Sequence, residues 1–334
     1  MGLSFSTWRA GGYANAAVPR PADPASLQQL AGQTMGTTWS LRFDNPRMLP
    51  LTLVREAVEG ALGTVVAQMS HWEQDSDISR INSAPAGSRH VLPKEFGEVM
   101  RCAASWAAAS GGAIDPTVGS LVACWGFGPE ANEAGLPAAQ ALAEARSQVG
   151  WHRLAFDAAD VSLTQPGSVA LDLSGIAKGF AVDHGTETLQ ALGLADFLFE
   201  IGGELRGVGR RPGGQPWQVQ VDSGLAAAQR IALADMAVAT SGDRWHQRAH
   251  EGKRWSHTID PRTGEPVAHA LASVTVVHPR CMQADALATV LTVLGPDEGQ
   301  DFAERHGVAA LFVSHGDPSP AVRATSNWPA QVRA

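Results

Sequence analysis

Residues Val169 to Ile201, VALDLSGIAKGFAVDHGTETLQALGLADFLFEI, read as strand, helix and strand in succession. Residues 169–173 have the texture of a strand, one long helix covers roughly 175–192, and 197–201 is β-rich again. This helix is the only long one in a series of short β-rich pieces, at 152–164, 169–173, 197–201, 217–222 and 231–240, which Gly, Pro and Asp turns separate. Towards the N-terminus the pattern is helical. Val54, Val58, Leu62, Val65, Met69 and Trp72 recur every three or four positions, which predicts an amphipathic helix over 51–72, after a strand over 34–43. Pro93 opens a second helix that Gly111-Gly112 stop, and 137–148 is a third. A last unit runs strand 273–277, helices 282–293 and 297–306, and strand 308–314. Neither a βαβ period nor an internal repeat is present. The expected fold class is therefore α+β, with mixed or antiparallel sheets and packed helices.

A chain of 334 residues is long enough for about two domains or one large elaborated one. Hydrophobic residues make up 44% and charged ones 17%, which excludes a disordered or coiled-coil protein, and no apolar run is long enough to span a bilayer. The formal charge of −8 argues against generic nucleic-acid or anionic-membrane binding, yet allows a local basic pocket for a phosphate. Cys102, Cys124 and Cys281 form no CxxC pair, so neither a disulfide framework nor a structural zinc site is expected. Residues 1–30 read as a mobile leader. Arg9 interrupts what would be the apolar core of a signal peptide, and no cysteine near the start offers a lipid acceptor, so the sequence alone points to the cytoplasm.

The common catalytic signatures (G-x-S-x-G, HExxH, the Walker phosphate loop, G-x-G-x-x-G) are absent. His246 and His250 are four apart, which on a helix would give two metal ligands, but no third ligand is near and a solvated polar segment is the stronger reading. In Leu171 to Gly179, LDLSGIAKG, a strand ends in Asp172 and Lys178 falls in the first turn of a helix. Free N–H groups, the helix dipole and an ammonium then converge on an anionic ligand; the alternative is an ordinary capped turn with Lys178 in solvent. Asp285 and Thr289 lie one helical turn apart and offer two hard oxygens to a cation such as Mg²⁺, or else cap and bond back along their own helix. His257, where a strand enters the turn Asp260-Pro261-Arg262-Thr263-Gly264, is either a base at neutral pH or a buried histidine satisfied by a carbonyl.

In order along 34 to about 314, these segments resemble the ApbE-type FAD:protein FMN transferases. The resemblance rests on Met35-Gly36-Thr37-Thr38-Trp39; Met69-Ser70-His71-Trp72 with Asp77-Ile78-Ser79-Arg80-Ile81-Asn82; Gly112-Ala113-Ile114-Asp115-Pro116-Thr117 with Trp125-Gly126-Phe127-Gly128; the Asp172 to Gly179 turn; Glu200-Ile201-Gly202-Gly203-Glu204; Ala239-Thr240-Ser241-Gly242-Asp243; the His257 to Gly264 turn; and Asp285 to Thr289.

The resemblance implies a single domain over 31–320, helical over about 31–150 and β-rich over about 151–320, with an ApbE-like (T-fold-like) architecture that binds FAD between the two parts. It implies transfer of FMN from FAD to a threonine hydroxyl of an acceptor flavoprotein, through a phosphodiester and with release of AMP, in the presence of Mg²⁺. Family acceptors present that Thr in a Ser/Asp-Gly-Ala-Thr-like segment, and the family's periplasmic setting stands against the cytoplasmic reading. FAD storage without transfer, and hydrolysis of FAD to FMN and AMP, are the rival activities. By similarity, Met35, Trp72, Ala113, Ile114, Asp115, Asp172, Lys178 and Ile259 match FAD-contacting positions. The Gly175 carbonyl, Asp285 and Thr289 match the cation site, and His257 matches the base. Where the family often has Tyr, this chain has Trp72, Phe180 and Arg244, so an aromatic face is expected to remain at the first two.

Overall fold

The computed structural model describes residues 27–129, 135–221, 229–242, 247–316 and 320–329. The chain opens with the hairpin β1 (Leu27–Thr34) and β2 (Thr37–Asp44), then α1 (Leu51–Met69), α2 (Asp77–Asn82), β3 (Arg89–Val91), α3 (Lys94–Ala109), α4 (Gly119–Cys124) and α5 (Ala139–Gln148). Next come β4 (Ala155–Asp157), β5 (Ser162–Thr164), α6 (Ala177–Ala191), β6 (Phe197–Ile201), β7 (Glu204–Val208), β8 (Trp217–Val221), β9 (Gln229–Leu233) and β10 (Met236–Gly242). The remainder is β11 (Gln247–His250), β12 (Lys253–Ser256), β13 (Ile259–Asp260), β14 (Glu265–Pro266), β15 (Leu271–His278), α7 (Cys281–Leu294), α8 (Glu298–Arg305), β16 (Ala309–Ser314) and β17 (Ala321–Ala324).

One eight-stranded sheet in the order β1-β2-β6-β7-β10-β15-β16-β17 carries the fold, and every pairing in it is antiparallel. Its two faces alternate residue by residue, as the pleat requires. Ala237, Ala239, Val274, Val276, Ala310 and Phe312 join the large core beneath the helices, whereas Val238, Val277, Leu311 and Val313 pack with Trp217, Val219, Ile231 and Leu233 of the β8–β9 hairpin on the other face. The helical layer is centred on α7, which lies on β10 and β15 and against α6, while α6 also packs on α1. Among the described residues no helix is long and apolar enough to cross a membrane, and all three cysteines are free.

Several sequence expectations change. Strand β1 begins at Leu27, inside the stretch read as a mobile leader, so the last residues of that stretch are sheet; residues 1–26 lie outside the described residues. The C-terminal boundary moves as well: β17 pairs with β16, and Trp328 packs on the hairpin core, beyond residue 320. Helix α1 buries Val54, Val58, Leu62, Val65 and Met69 but ends there, because Ser70 turns to extended backbone; Trp72 therefore sits in a turn, 65% exposed.

Residues 169–173 are not a strand beyond one isolated bridge between Val118 and Ala170. Their backbone groups are satisfied elsewhere. The Asn82 side chain donates to the Leu171 carbonyl and accepts from the Leu171 N–H, and the Asp172 N–H donates to the Pro116 carbonyl. The piece at 231–240 is two strands, β9 and β10, separated by a turn in which Asp235 takes φ +55°. His250 belongs to strand β11, so it lacks the helical setting that a four-residue metal pair needs; His246 lies outside the described residues. Arg244 and Asp243 also fall outside them.

Candidate functional site

A cleft opens between the helical and β-rich parts. It is lined by Ala103 of α3, by Ala113, Ile114, Asp115, Pro116 and Val118, by Asp172, Leu173, Gly175 and Ile176 before α6, by Ile259 and Pro261, and by Thr289 of α7. Seven of the residues singled out in the sequence, Ala113, Ile114, Asp115, Asp172, Gly175, Ile259 and Thr289, thus share one cavity although they are spread over 177 positions, from 113 to 289. Met35, Trp72, Lys178, His257 and Asp285 are not among its walls.

The loop after α3 is rigid for identifiable reasons. The Ser110 hydroxyl donates to the Trp106 carbonyl and accepts the Ala113 N–H. Asp115 is 5% exposed, and both its oxygens are engaged: Oδ1 accepts the Thr117 N–H and hydroxyl at 2.8 and 2.6 Å, and Oδ2 accepts the Trp151 N–H at 2.8 Å. Burial raises the Asp115 pKa, and the bonds from Thr117 and Trp151 oppose it. The Asp115 carboxylate therefore braces the cleft wall. Asp172 closes a short turn by accepting the Ser174 N–H at 2.8 Å, which turns the chain into α6.

At the inner end of the cleft, α6 and α7 meet. Thr289 does not bond back along its own helix: its hydroxyl donates to the Gly175 carbonyl at 3.4 Å, and a Cβ on Gly175 would stand 2.9 Å from that hydroxyl oxygen. Asp285 does not cap its own helix either. It is buried, one turn before Thr289, and its Oδ2 accepts the Gly179 N–H at 2.8 Å. Burial raises the Asp285 pKa, against the pull of Lys178 and of the Gly179 N–H. A carboxylate, a hydroxyl and a carbonyl thus gather at one helix crossing, and they are hard oxygens, the donor type that Mg²⁺ prefers. Among the described residues there is no cluster of three or more His, Cys, Asp or Glu suited to a metal.

Lys178 is not free in solvent. Its Nζ lies 2.7 Å from Glu204 Oε1, with the lysine side chain 33% exposed and the glutamate 3%. Burial works against the Lys178 ammonium, but the charges of Glu204 and Asp285 more than compensate and raise its pKa. Burial also pushes the Glu204 carboxyl up to about 7, with the Asp285 charge adding to it and Lys178 opposing. Sequence reasoning noticed Glu204 only as the end of the Glu200 to Glu204 motif; a charge four residues after another gives no sign that it will be buried against a helix.

The two aromatic faces expected from the sequence diverge. Phe180 is buried in the core and stacked on His184 at 5.8 Å, so its face is taken. Trp72 leans on His71 with ring centroids 5.9 Å apart and remains open to solvent. His257 follows β12, is half-buried, and meets the Phe127 ring edge-on at 6.3 Å; Arg248 stands over the same ring at 5.8 Å. Trp125, from the same motif as Phe127, donates its indole N–H to the Gly264 carbonyl at 2.8 Å and so ties this loop to the turn after His257.

The chain is similar to known proteins. Residues 35–312 match the model of the ApbE family. The FAD:protein FMN transferase of Haemophilus influenzae is 37% identical over 300 residues, covering 86% of each chain, and that of Vibrio cholerae is 34% identical over 299 residues. The crystal structure of Pseudomonas stutzeri flavinyl transferase ApbE in its apo form superposes with a TM-score of 0.84 at 36% identity, over 90% of this chain and 95% of that one. The flavin transferase ApbE from Vibrio cholerae gives 0.83 at 33% identity, over 90% and 98%. With its antiparallel sheet, its helical layer and its inter-part cleft, the chain belongs to the ApbE family.

Proposed function

We propose that this chain binds FAD in the cleft and transfers its FMN half to an acceptor flavoprotein, releasing AMP. The observation that carries this reading is that the cleft walls Gly175 and Thr289 meet at the helix crossing where Asp285, one turn before Thr289, is buried near the Lys178 ammonium, in a chain whose relatives are named for that reaction. In the reaction a threonine hydroxyl of the acceptor, in a Ser/Asp-Gly-Ala-Thr-like segment, attacks the phosphorus of the FMN half. The new phosphodiester forms as the bond to the AMP oxygen breaks, and the hydroxyl proton passes to a base, for which His257 is the candidate.

The residues fit a divalent cation. Lys178 set against Glu204 and Asp285 leaves one uncompensated negative charge when both carboxyls are ionised, and a Mg²⁺ held by Asp285, Thr289 and the Gly175 carbonyl would turn that into a positive site for a pyrophosphate. When bound, such a cation neutralises charge that develops on the pyrophosphate oxygens. The chain's own work is positioning. Ala113, Ile114 and Ile259 offer apolar surface, Asp115 and Asp172 fix the loops that carry it, Lys178 supplies a fixed positive charge, and Met35 and Trp72 complete the FAD contacts.

The deciding experiment incubates the chain with FAD, Mg²⁺ and a Thr-bearing acceptor and weighs the products. Acceptor heavier by FMN, with equimolar AMP, supports transfer; FMN and AMP with unmodified acceptor would make the protein a hydrolase, and FAD bound but intact would make it a carrier.

A further inference from the structure

We infer that Glu204 is a positioning residue, which holds the Lys178 ammonium at the start of α6, near the Asp285 carboxylate, and acts on FAD only through it. Four observations place it there. Glu204 is the first residue of β7, immediately after the Gly202-Gly203 turn, so its backbone is fixed by the central sheet through its pairing with Ile201. Its side chain is 3% exposed and reaches from the sheet to the first turn of α6, where Oε1 meets Lys178 Nζ at 2.7 Å. Its other oxygen, Oε2, is buried and has no hydrogen-bond partner among the described residues. Finally, the lysine side chain is one-third exposed against 3% for the glutamate, so the pair runs from the protein interior to a part-exposed lysine.

A buried carboxylate with an unsatisfied oxygen is a costly thing to keep for stability alone, since apolar groups of similar volume are often as good or better. What it does supply is direction. A lysine carries a flexible four-carbon stem and a point charge, and unlike arginine it has no planar fork to orient itself. Without Glu204, the ammonium has two choices: to collapse onto Asp285, where it would compete with a cation, or to swing into water. With Glu204 in place it is held in the first turn of α6, two residues after Ile176 and three after Gly175, which line the cleft, where it can serve the anionic part of the substrate. The inference rests on the proposed reading of the cleft as an FAD site, because that reading supplies the anion.

The test is a double-mutant cycle on the full chain, with parent, Lys178→Met, Glu204→Gln and the double variant, each followed by FAD titration, by thermal unfolding and by the rate of FMN attachment. Glu204→Gln keeps the shape and is expected to fold. If Glu204 works through Lys178, each single variant weakens FAD by about tenfold to a hundredfold, the size of one charge-assisted hydrogen bond, and the double variant binds no worse than Lys178→Met alone. In the stability arm, Lys178→Met should unfold at a lower temperature than the double variant, because it leaves the buried carboxylate without its cation. Glu204→Gln binding FAD like the parent, or losses that multiply in the double variant, would overturn the positioning role. A parent that binds no FAD at all would overturn the functional reading, and with it this one; the two failures are told apart by the parent titration.

Discussion

Gly179 and Asp285 are locked together across the α6–α7 crossing: the Gly179 N–H donates to Asp285 Oδ2 at 2.8 Å, and a Cβ on Gly179 would stand 2.6 Å from the Asp285 Cβ and 2.5 Å from the Cys281 carbonyl oxygen. The carboxylate is thus aimed by a backbone amide that only glycine lets come so near. Gly179→Ala must push the helices apart, because one of its clashes is with backbone. A loss of about 1–3 kcal/mol in unfolding free energy, typical of overpacking, is expected together with loss of Mg²⁺-dependent activity. Denaturant unfolding and a Mg²⁺ titration of the rate check this; a variant with parental stability and metal response would show that the crossing has slack.

Asp285→Asn keeps an acceptor for the Gly179 N–H but removes the full charge from the oxygen cluster. AMP release and FMN attachment should collapse, while the fold is retained and FAD affinity falls less than activity. Assays of parent and variant with and without a chelator decide it: equal product in all four would remove Asp285 from the cation site.

For His257→Ala the expectation is a rate lower by about 10²–10⁴-fold with FAD still bound, the usual contribution of a positioned base. FMN transfer at the parental rate would move the base elsewhere, Asp260 being the nearest carboxylate along the turn.

Trp72 is 65% exposed and supports no core, so Trp72→Ala should leave the unfolding temperature unchanged. If its open face stacks on FAD, affinity should nevertheless drop about ten- to a hundredfold, in line with stacking worth roughly 1–3 kcal/mol. Unchanged titration curves would leave this indole without a role toward FAD.

Stability should depend on pH through Glu204, whose carboxyl is raised by burial from the usual 4.5 to about 7. Between those values the folded chain holds a proton that the unfolded chain has released. The stabilisation is complete below about 4.5 and is lost as pH rises through about 7. The expected slope is at most one proton, about 1.4 kcal/mol per pH unit, and Glu204→Gln should flatten that part of the profile. Parallel unfolding profiles for parent and variant over this range would contradict it.

Much of this was legible in the sequence wherever periodicity and chemistry act locally. Val54 to Met69 face the core as their spacing demands, and the oxygen donors Asp285 and Thr289 are neighbours because a helix makes them so. Gly175, at the third oxygen position, came from the family resemblance alone. What was hidden depends on partners far along the chain. The run 169–173 has a strand's composition, but Asn82 and Pro116 take its hydrogen bonds first. Asp115 matches a ligand-contacting position, yet its carboxylate is spent on Thr117 and Trp151. The burial of Glu204 follows from which strand sits under α6, and no local pattern carries that information.

Lys178 and Gly179 are consecutive, and α6 turns about 100° per residue. One presents its side chain to Glu204, the other its amide to Asp285. A single-residue insertion or deletion between the Asp172 turn and Gly179 would rotate both away from their partners at once, so this part of the chain has no room for length variation. In the turn between β7 and β8, Gly209 and Arg210 are likewise tied, to Asp235 and Asp196, but among the described residues the tip at 212–214 has no such ties to distant residues and lies outside the cleft lining, and it is there that a tag or an inserted loop can be placed without disturbing the cleft.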